Sequence, residues 1–136
     1  MDPVFQSFLA GFPVFIAHFA LTVALLVAGI AAYMAITPHR ELSLLRAGNT
    51  AAAISLGAVV IGLGLTLGVS MANSVTLFDI LVWGVVALVL QLGTFFVIDR
   101  LLRGLPQRIE EGQVASAIFL AASKLAVAIV TAAALT

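Results

Sequence analysis

The stretch AIFLAASKLAVAIV (residues 117–130) is almost wholly apolar and carries one charged side chain, Lys124, near its middle. No carboxylate lies near this lysine in the sequence. A helix this apolar is buried either in a protein core or in the hydrocarbon of a membrane. The meaning of Lys124 depends on which of these two surrounds it, and the composition of the whole chain decides between them.

The 136-residue chain has too few polar side chains to cover the surface of a water-soluble domain. Hydrophobic residues make up 63% and charged residues 9%, against about 25% charged in a typical soluble domain. The mean hydropathy is +1.26, so the predicted solvent is a lipid bilayer. The net charge of zero provides no basic surface for nucleic acid. With no cysteine and only two histidines, we expect neither a metal site nor a cofactor.

A membrane-spanning helix needs about 20 mostly apolar residues. Four segments meet this requirement, namely residues 13–36, 49–71, 78–98 and 114–135. We therefore predict an all-α integral membrane protein with four transmembrane helices. The N-terminus lacks the basic region of a signal peptide, so the first segment is expected to remain as a span. Residues 1–12 form a short leader that either lies along the membrane interface or extends the first helix.

The basic residues of the loops lie on one predicted side of the membrane. They fall between spans one and two and between spans three and four: Arg40, Arg46, Arg100, Arg103 and Arg108. Neither terminus nor the 72–77 connection contains Lys or Arg. Because short basic loops stay in the cytoplasm, we predict both loops inside and both termini outside. Trp83 then falls at the outer end of span three, where we interpret it as an interface anchor rather than part of a ligand cage.

The two halves of the chain resemble each other at an offset of 64 residues. RAGNTAAAI (46–54) aligns with EEGQVASAI (110–118), which pairs Asn49 with Gln113. Each half has two spans, so both copies have the same orientation in the membrane. We predict a tandem parallel duplication, with residues 13–71 as the first two-span repeat and 72–136 as the second. Val60 of the first copy corresponds to Lys124 of the second.

Span two contains a row of glycines at helical spacing, and we assign helix packing to three of them: Gly57, Gly64 and Gly68. Small residues let helix backbones approach closely in lipid, where the hydrophobic effect between helices is weak. Two interpretations are open. The row packs against span four of the same chain, or it contacts a second subunit.

Lys124 lies roughly 15 Å from either end of span four, near the middle of the membrane. Its side chain cannot bring the ammonium fully to the headgroups, and leaving it in the helix centre costs about 2.5–3.5 kcal/mol. Three hydroxyl residues, Ser116, Ser123 and Thr131, share its side of the helix. Gln91 of span three lies at a similar depth. These five residues form the candidate intramembrane polar site.

Three interpretations of Lys124 remain open at this point. It is a structural residue bonded to Gln91, hydroxyls and backbone carbonyls; or it lines a wet cavity or an oligomer axis; or it is largely neutral and serves as a proton or anion site. The spans have no acidic residue in their middle, because Asp99 falls just beyond the predicted inner end of span three.

The stretch ITPHRELSLLRAGNTAAAISLGAVVIGLGL (36–65), with WGVVALVLQL (83–92), resembles the YjfL-like family of small bacterial inner-membrane proteins, a domain of unknown function. The resemblance implies four duplicated spans and location in the bacterial inner membrane. It also suggests an association with membrane-stress proteins. The family has no established site residues to transfer. The TPH motif (37–39) either shapes the inner turn or recognises a cytoplasmic partner.

We find no sequence pattern of an enzyme, because nucleophile elbows, paired buried carboxylates and metal-ligand spacings are all missing. Two functions remain. The preferred one is a homo-oligomeric scaffold whose inner loops bind anionic lipid or a cytoplasmic envelope-stress protein. The candidate contact residues are His39, Arg40, Arg46, Arg100, Arg103 and Arg108. The alternative is a subunit of a small ion or solute channel or transporter with a polar path around Lys124 and Gln91.

Overall fold

In the computed structural model all the regular secondary structure is α-helical over the residues described, which are 2–36, 41–101, 111 and 113–136, without the side chains of Glu41 and Leu42. The helices are α1 (Pro3–Ile36), α2 (Glu41–Arg46), α3 (Thr50–Ala72), α4 (Leu77–Leu101) and α5 (Val114–Ala134). All but α2 are long and apolar enough to cross a membrane. The prediction of four long apolar helices is confirmed. In hydrocarbon the helix is favoured because it satisfies every backbone polar group within the segment.

Three of the four spans begin and end within three residues of their predicted bounds. The first differs, because α1 begins at Pro3 and runs without a break through Pro13. The leader is thus helical and continuous with span one. At 1.5 Å per residue α1 is about 51 Å long, well beyond the roughly 30 Å of the hydrocarbon core.

The connection between α2 and α3 is a tight turn. Gly48 has a φ of +84°, a conformation that glycine adopts without strain. Asn49 follows as the N-cap of α3, and its side-chain oxygen accepts the backbone N–H of Ala52 at 3.0 Å. α2 lies within HRELSLLRA (39–47), whose mixture of Arg and Glu with Leu is typical of short interfacial helices. Most of its counterpart, RLLRGLPQRIE, lies outside the described residues.

The core is centred on α3, which packs along α5 and also contacts α1 and α4. One apolar cluster lies where α3 and α5 begin and includes Ala52, Ile98 and Leu120. A second lies deeper and includes Val59 and Leu63, with Tyr33 of α1 and Phe95 of α4. The outward faces of the helices are apolar and exposed, as expected for surfaces that face lipid.

Candidate functional site

The Lys124 side chain is completely buried between three helices. Its Nζ lies 3.0 Å from Oδ1 of Asp99, whose side chain is only 13% exposed. The two atoms attract each other as charges but are not aligned for a hydrogen bond. Lys124 is therefore one half of a buried ion pair that joins α5 to α4.

The hydrogen bond of Lys124 goes to α1. Its ammonium donates to the hydroxyl oxygen of Tyr33, a residue that is 1% exposed. The same ammonium lies 4.7 Å from the centre of the Tyr33 ring and 5.6 Å from that of Phe95. The two rings are themselves packed edge to face at 5.9 Å. The cation thus has a carboxylate, a hydroxyl and two aromatic rings around it, all favourable for a positive charge.

Side-chain direction explains how residues from different depths meet. Tyr33 and Asp99 lie near the C-terminal ends of α1 and α4, whereas Lys124 lies midway along α5. Because helical side chains tilt toward the N-terminus of their own helix, Lys124 points toward the end of the bundle where α5 begins. That is also the end where α1 and α4 finish. We call the group Tyr33, Asp99 and Lys124 the charged triad.

The acidic partner of Lys124 was not predicted. Span three was expected to end at Ile98, with Asp99 just beyond its inner end, but α4 continues to Leu101 and keeps Asp99 inside the bundle. Tyr33 was also missed. Its signal was present, since it is the only tyrosine of the chain and lies near the inner end of a span.

Gln91 is fully buried but makes no hydrogen bond to Lys124, unlike in the interpretation of Lys124 as a structural residue bonded to Gln91. Its Oε1 lies 3.3 Å from the hydroxyl of Thr66, which also donates to the carbonyl of Gly62 at 2.8 Å. The amide nitrogen of Gln91 has no hydrogen-bond partner in the described part of the chain. The hydroxyl oxygens of buried Ser55 and Ser70 also have no hydrogen-bond partner among the described residues.

The three hydroxyl residues predicted beside Lys124 do not form its shell. Ser123 donates to the carbonyl of Phe119 and Thr131 to that of Val127, both at 2.9 Å. These bonds stay within α5. Ser116 is buried, near the start of α5. The triad therefore replaces this polar face as the environment of Lys124.

Two of the candidate loop residues can be placed. Arg46 is exposed at the end of α2, and the guanidinium of Arg100 lies 4.8 Å from the centre of the Phe96 ring. The other four, His39, Arg40, Arg103 and Arg108, lie outside the described residues.

The predicted glycine row does not pack against α5. At Gly57, Gly64 and Gly68 an added Cβ would meet nothing within 4 Å among the described residues beyond its own stretch of helix. The glycine that does make the contact is Gly62, where a Cβ would lie 3.1 Å from that of Ala128 and 3.3 Å from the Phe95 ring. The interpretation as internal packing is wrong for the other three.

The comparisons with known proteins identify relatives in the bacterial inner membrane. Residues 7–135 match the model of a domain of unknown function, DUF350. The chain is 32% identical over 122 residues to the UPF0719 inner membrane protein YjfL of Escherichia coli K12, a match that covers 90% of this chain and 92% of that protein. The YjfL protein of E. coli O157:H7 matches equally well. No solved structure matches the chain.

Proposed function

This chain belongs to the DUF350 family of inner-membrane proteins, as its resemblance to YjfL predicted, and we propose that it is a small transport protein, a channel or transporter subunit whose gate is the charged triad. The family is one of unknown function. The proposed role is non-enzymatic, and the species moved is a small ion or a proton.

The observation that carries this proposal is the burial of Lys124 against Asp99 within the bundle. Ionisable side chains inside a membrane are costly, and where they occur they usually belong to ion or proton pathways. Apolar residues of similar size often stabilise a protein at least as well as a buried ion pair. Holding the helices together therefore does not by itself require charged residues here.

The unpartnered polar atoms of the core support the same role. Ser55, Thr66 and Ser70 lie on one face of α3, within a 60° arc at 100° per residue. They extend over roughly 22 Å of the helix axis. Two of these hydroxyls and the facing Gln91 amide are unsatisfied among the described residues. Such atoms are expensive in hydrocarbon but suit a path that admits water or a small solute. Between Ser55 and Thr66 the same face has Val59 and Gly62, both buried, so the path is closed in this conformation.

Removing both charges together distinguishes a role of the ion pair in ion flux from a role in folding. The double variant Lys124→Leu, Asp99→Leu keeps an apolar contact in place of the ion pair, so it is expected to fold. Liposomes with the wild-type protein should pass protons or monovalent cations, followed with an entrapped pH dye and with ion-specific dyes. Flux should fall at least tenfold in the double variant.

A matched control is Thr94→Val, which removes a hydroxyl on α4 that bonds only to its own helix, at the carbonyl of Leu90. It should leave flux unchanged. Absence of wild-type flux for every ion tested, or equal flux in the folded double variant, would refute the transport proposal.

A second candidate, the self-associating scaffold, is favoured by the open glycine row of α3. Gly57, Gly64 and Gly68 have free space above them, which is the surface that close helix pairing in lipid requires. In this proposal a second copy covers the row. The basic loops then recruit anionic lipid or a cytoplasmic envelope-stress protein.

Replacement of the glycine row should reveal this assembly. Leu at Gly57, Gly64 and Gly68 together should convert the oligomer to monomer in cross-linking and in light scattering of detergent complexes. Gly93→Leu, at another open glycine on α4, is the control. Reversal of charge at Arg100, Arg103 and Arg108 should abolish binding to anionic vesicles or partner while leaving the oligomer intact. A monomeric wild type would exclude the scaffold.

The orientation belongs to the same proposal, with the basic loops in the cytoplasm and both termini outside. Because the chain has no cysteine, a single cysteine at exposed Ser43 of α2 reports it cleanly. This cysteine should react with a membrane-impermeant maleimide only after the inner membrane is opened. Reaction in intact spheroplasts would show that the orientation is the opposite of the one proposed.

The tandem duplication, with repeats at 13–71 and 72–136, is supported by the starts of α3 and α5. These helices begin at Thr50 and Val114, 64 residues apart. Their N-caps have nearly equal backbone angles, with φ −74° and ψ 104° at Asn49 and φ −77° and ψ 101° at Gln113. The offset found in the sequence therefore recurs in local geometry.

A further inference from the structure

A cleft with both polar and apolar lining lies at the end of the bundle where α3 and α5 finish. It is lined by the last turns of α3 and α5 and the first turns of α4, and has a volume of about 200 Å³. The lining includes Ser70, Asn73, Ser74, Trp83, Leu135 and Thr136. The cleft is separate from the charged triad, which lies toward the other end of the bundle.

The electrostatic environment of the cleft favours a cation. Two helices, α3 and α5, end at it, and the C-terminal end of a helix carries partial negative charge. The Lys and Arg residues that the structure describes lie elsewhere: Arg46 and Arg100 are at the opposite end of the bundle, and Lys124 is in its interior. Asp79 lies one helical turn from Trp83 on α4, on the same side of that helix.

The polar groups of the cleft are mostly oxygen atoms available as acceptors. The amide nitrogen of Asn73 donates to the carbonyl of Val69 at 2.9 Å, which leaves its side-chain oxygen as an acceptor. The hydroxyls of Ser74 and Thr136 donate to backbone carbonyls of their own segments, at 2.7 Å in each case. Ser70 is 3% exposed, and its hydroxyl oxygen is unpartnered among the described residues.

The size of the cleft and its aromatic side chain narrow the class of cation. A volume of 200 Å³ corresponds to roughly six or seven water molecules at about 30 Å³ each. That is enough room for an organic cation of several heavy atoms. Trp83, which is 53% exposed, offers an indole ring, the aromatic group that attracts organic cations best. We propose that the cleft binds a small organic ammonium ion between Trp83 and the oxygen-rich ends of α3 and α5.

Trp83 is the only tryptophan of the chain, so its fluorescence reports on this cleft alone. The full-length protein in detergent is titrated with tetramethylammonium chloride at constant ionic strength, balanced with sodium chloride. A saturable change in Trp83 emission is expected. Tert-butyl alcohol, which has a similar shape and no charge, should give no saturable change.

Two variants and one control place the binding in the cleft. Ser74→Lys puts a tethered ammonium at the site and should weaken tetramethylammonium binding at least tenfold. Ser43→Lys, the same change at an exposed position at the other end of the bundle, should leave binding unchanged. Ser70→Ala removes one buried hydroxyl and should weaken binding about fivefold.

Three results would overturn the proposal. They are no saturable response to tetramethylammonium, an equal response to tert-butyl alcohol or to sodium chloride alone, and unchanged affinity in both Ser74→Lys and Ser70→Ala. The measurement involves no flux, so it stands or falls separately from the transport proposal.

Discussion

Asp99 Oδ1 and Lys124 Nζ lie 3.0 Å apart, and this ion pair connects the end of α4 to the middle of α5. Tyr33 adds a third helix by accepting a hydrogen bond from the same ammonium. One buried cation therefore contacts side chains of both α1 and α4 from α5.

Removing only the carboxylate should be far more harmful than removing the whole pair. Asp99→Leu leaves Lys124 buried without its counter-charge, and the expected loss is about 3–5 kcal/mol of unfolding free energy. The double variant with Lys124→Leu should recover most of that loss. Unfolding by SDS titration in mixed micelles measures both. A double variant as unstable as Asp99→Leu would show that the uncompensated charge of Lys124 is not the cause of the loss.

The hydroxyl of Tyr33 should matter only while Lys124 is present. Tyr33→Phe keeps the ring beside Phe95 but removes the acceptor of a charged hydrogen bond, at a cost of about 1.5–3 kcal/mol. In the Lys124→Leu background the same change should cost much less. This is a double-mutant cycle, read out by SDS titration, and equal costs in the two backgrounds would contradict the coupling.

Gly62 should tolerate a large side chain poorly, whereas Gly57, a member of the open glycine row, should tolerate one well. Gly62→Leu must displace Ala128 and Phe95, and overpacking of this kind costs about 1–3 kcal/mol. Gly57→Leu on the same helix meets open space and should change the stability of the monomer little. Thermal unfolding in detergent compares the two. Similar losses at both positions would mean that Gly57 is packed in the folded chain.

Asn49 and Gln113 occupy matching positions but should differ in what they contribute. Asn49 accepts the N–H of Ala52, so Asn49→Ala should cost about 1 kcal/mol. Gln113 makes no capping hydrogen bond with its side chain, so Gln113→Ala should be close to neutral. The same SDS titration compares them, and a larger loss at Gln113 would contradict the capping assignment.

Much of the architecture was predictable because lipid imposes strict local requirements. Long apolar runs in a chain with 9% charged residues determine both the solvent and the helices, since each backbone group must be paired within its own segment. The apolar runs predicted the starts of α3 and α5 at residues 49 and 114, within one residue of where the helices begin. The inner-membrane location and the family followed from the residues at 36–65 and 83–92.

The partners of Lys124 and the role of each glycine depended on tertiary structure. Depth counted along separate helices placed Asp99 beyond the inner end of span three and Gln91 beside the lysine. In the structure α4 runs three residues further than predicted, and Lys124 points toward the C-terminal end of α4. Likewise, spacing alone placed Gly57, Gly64 and Gly68 on one face, but the rotation of α3 directs Gly62 at Ala128 instead. The sequence by itself determined that four apolar helices cross a membrane with one lysine among them. The carboxylate and hydroxyl that surround that lysine were decided only by packing, because the rotation, stagger and length of each helix are set by its neighbours.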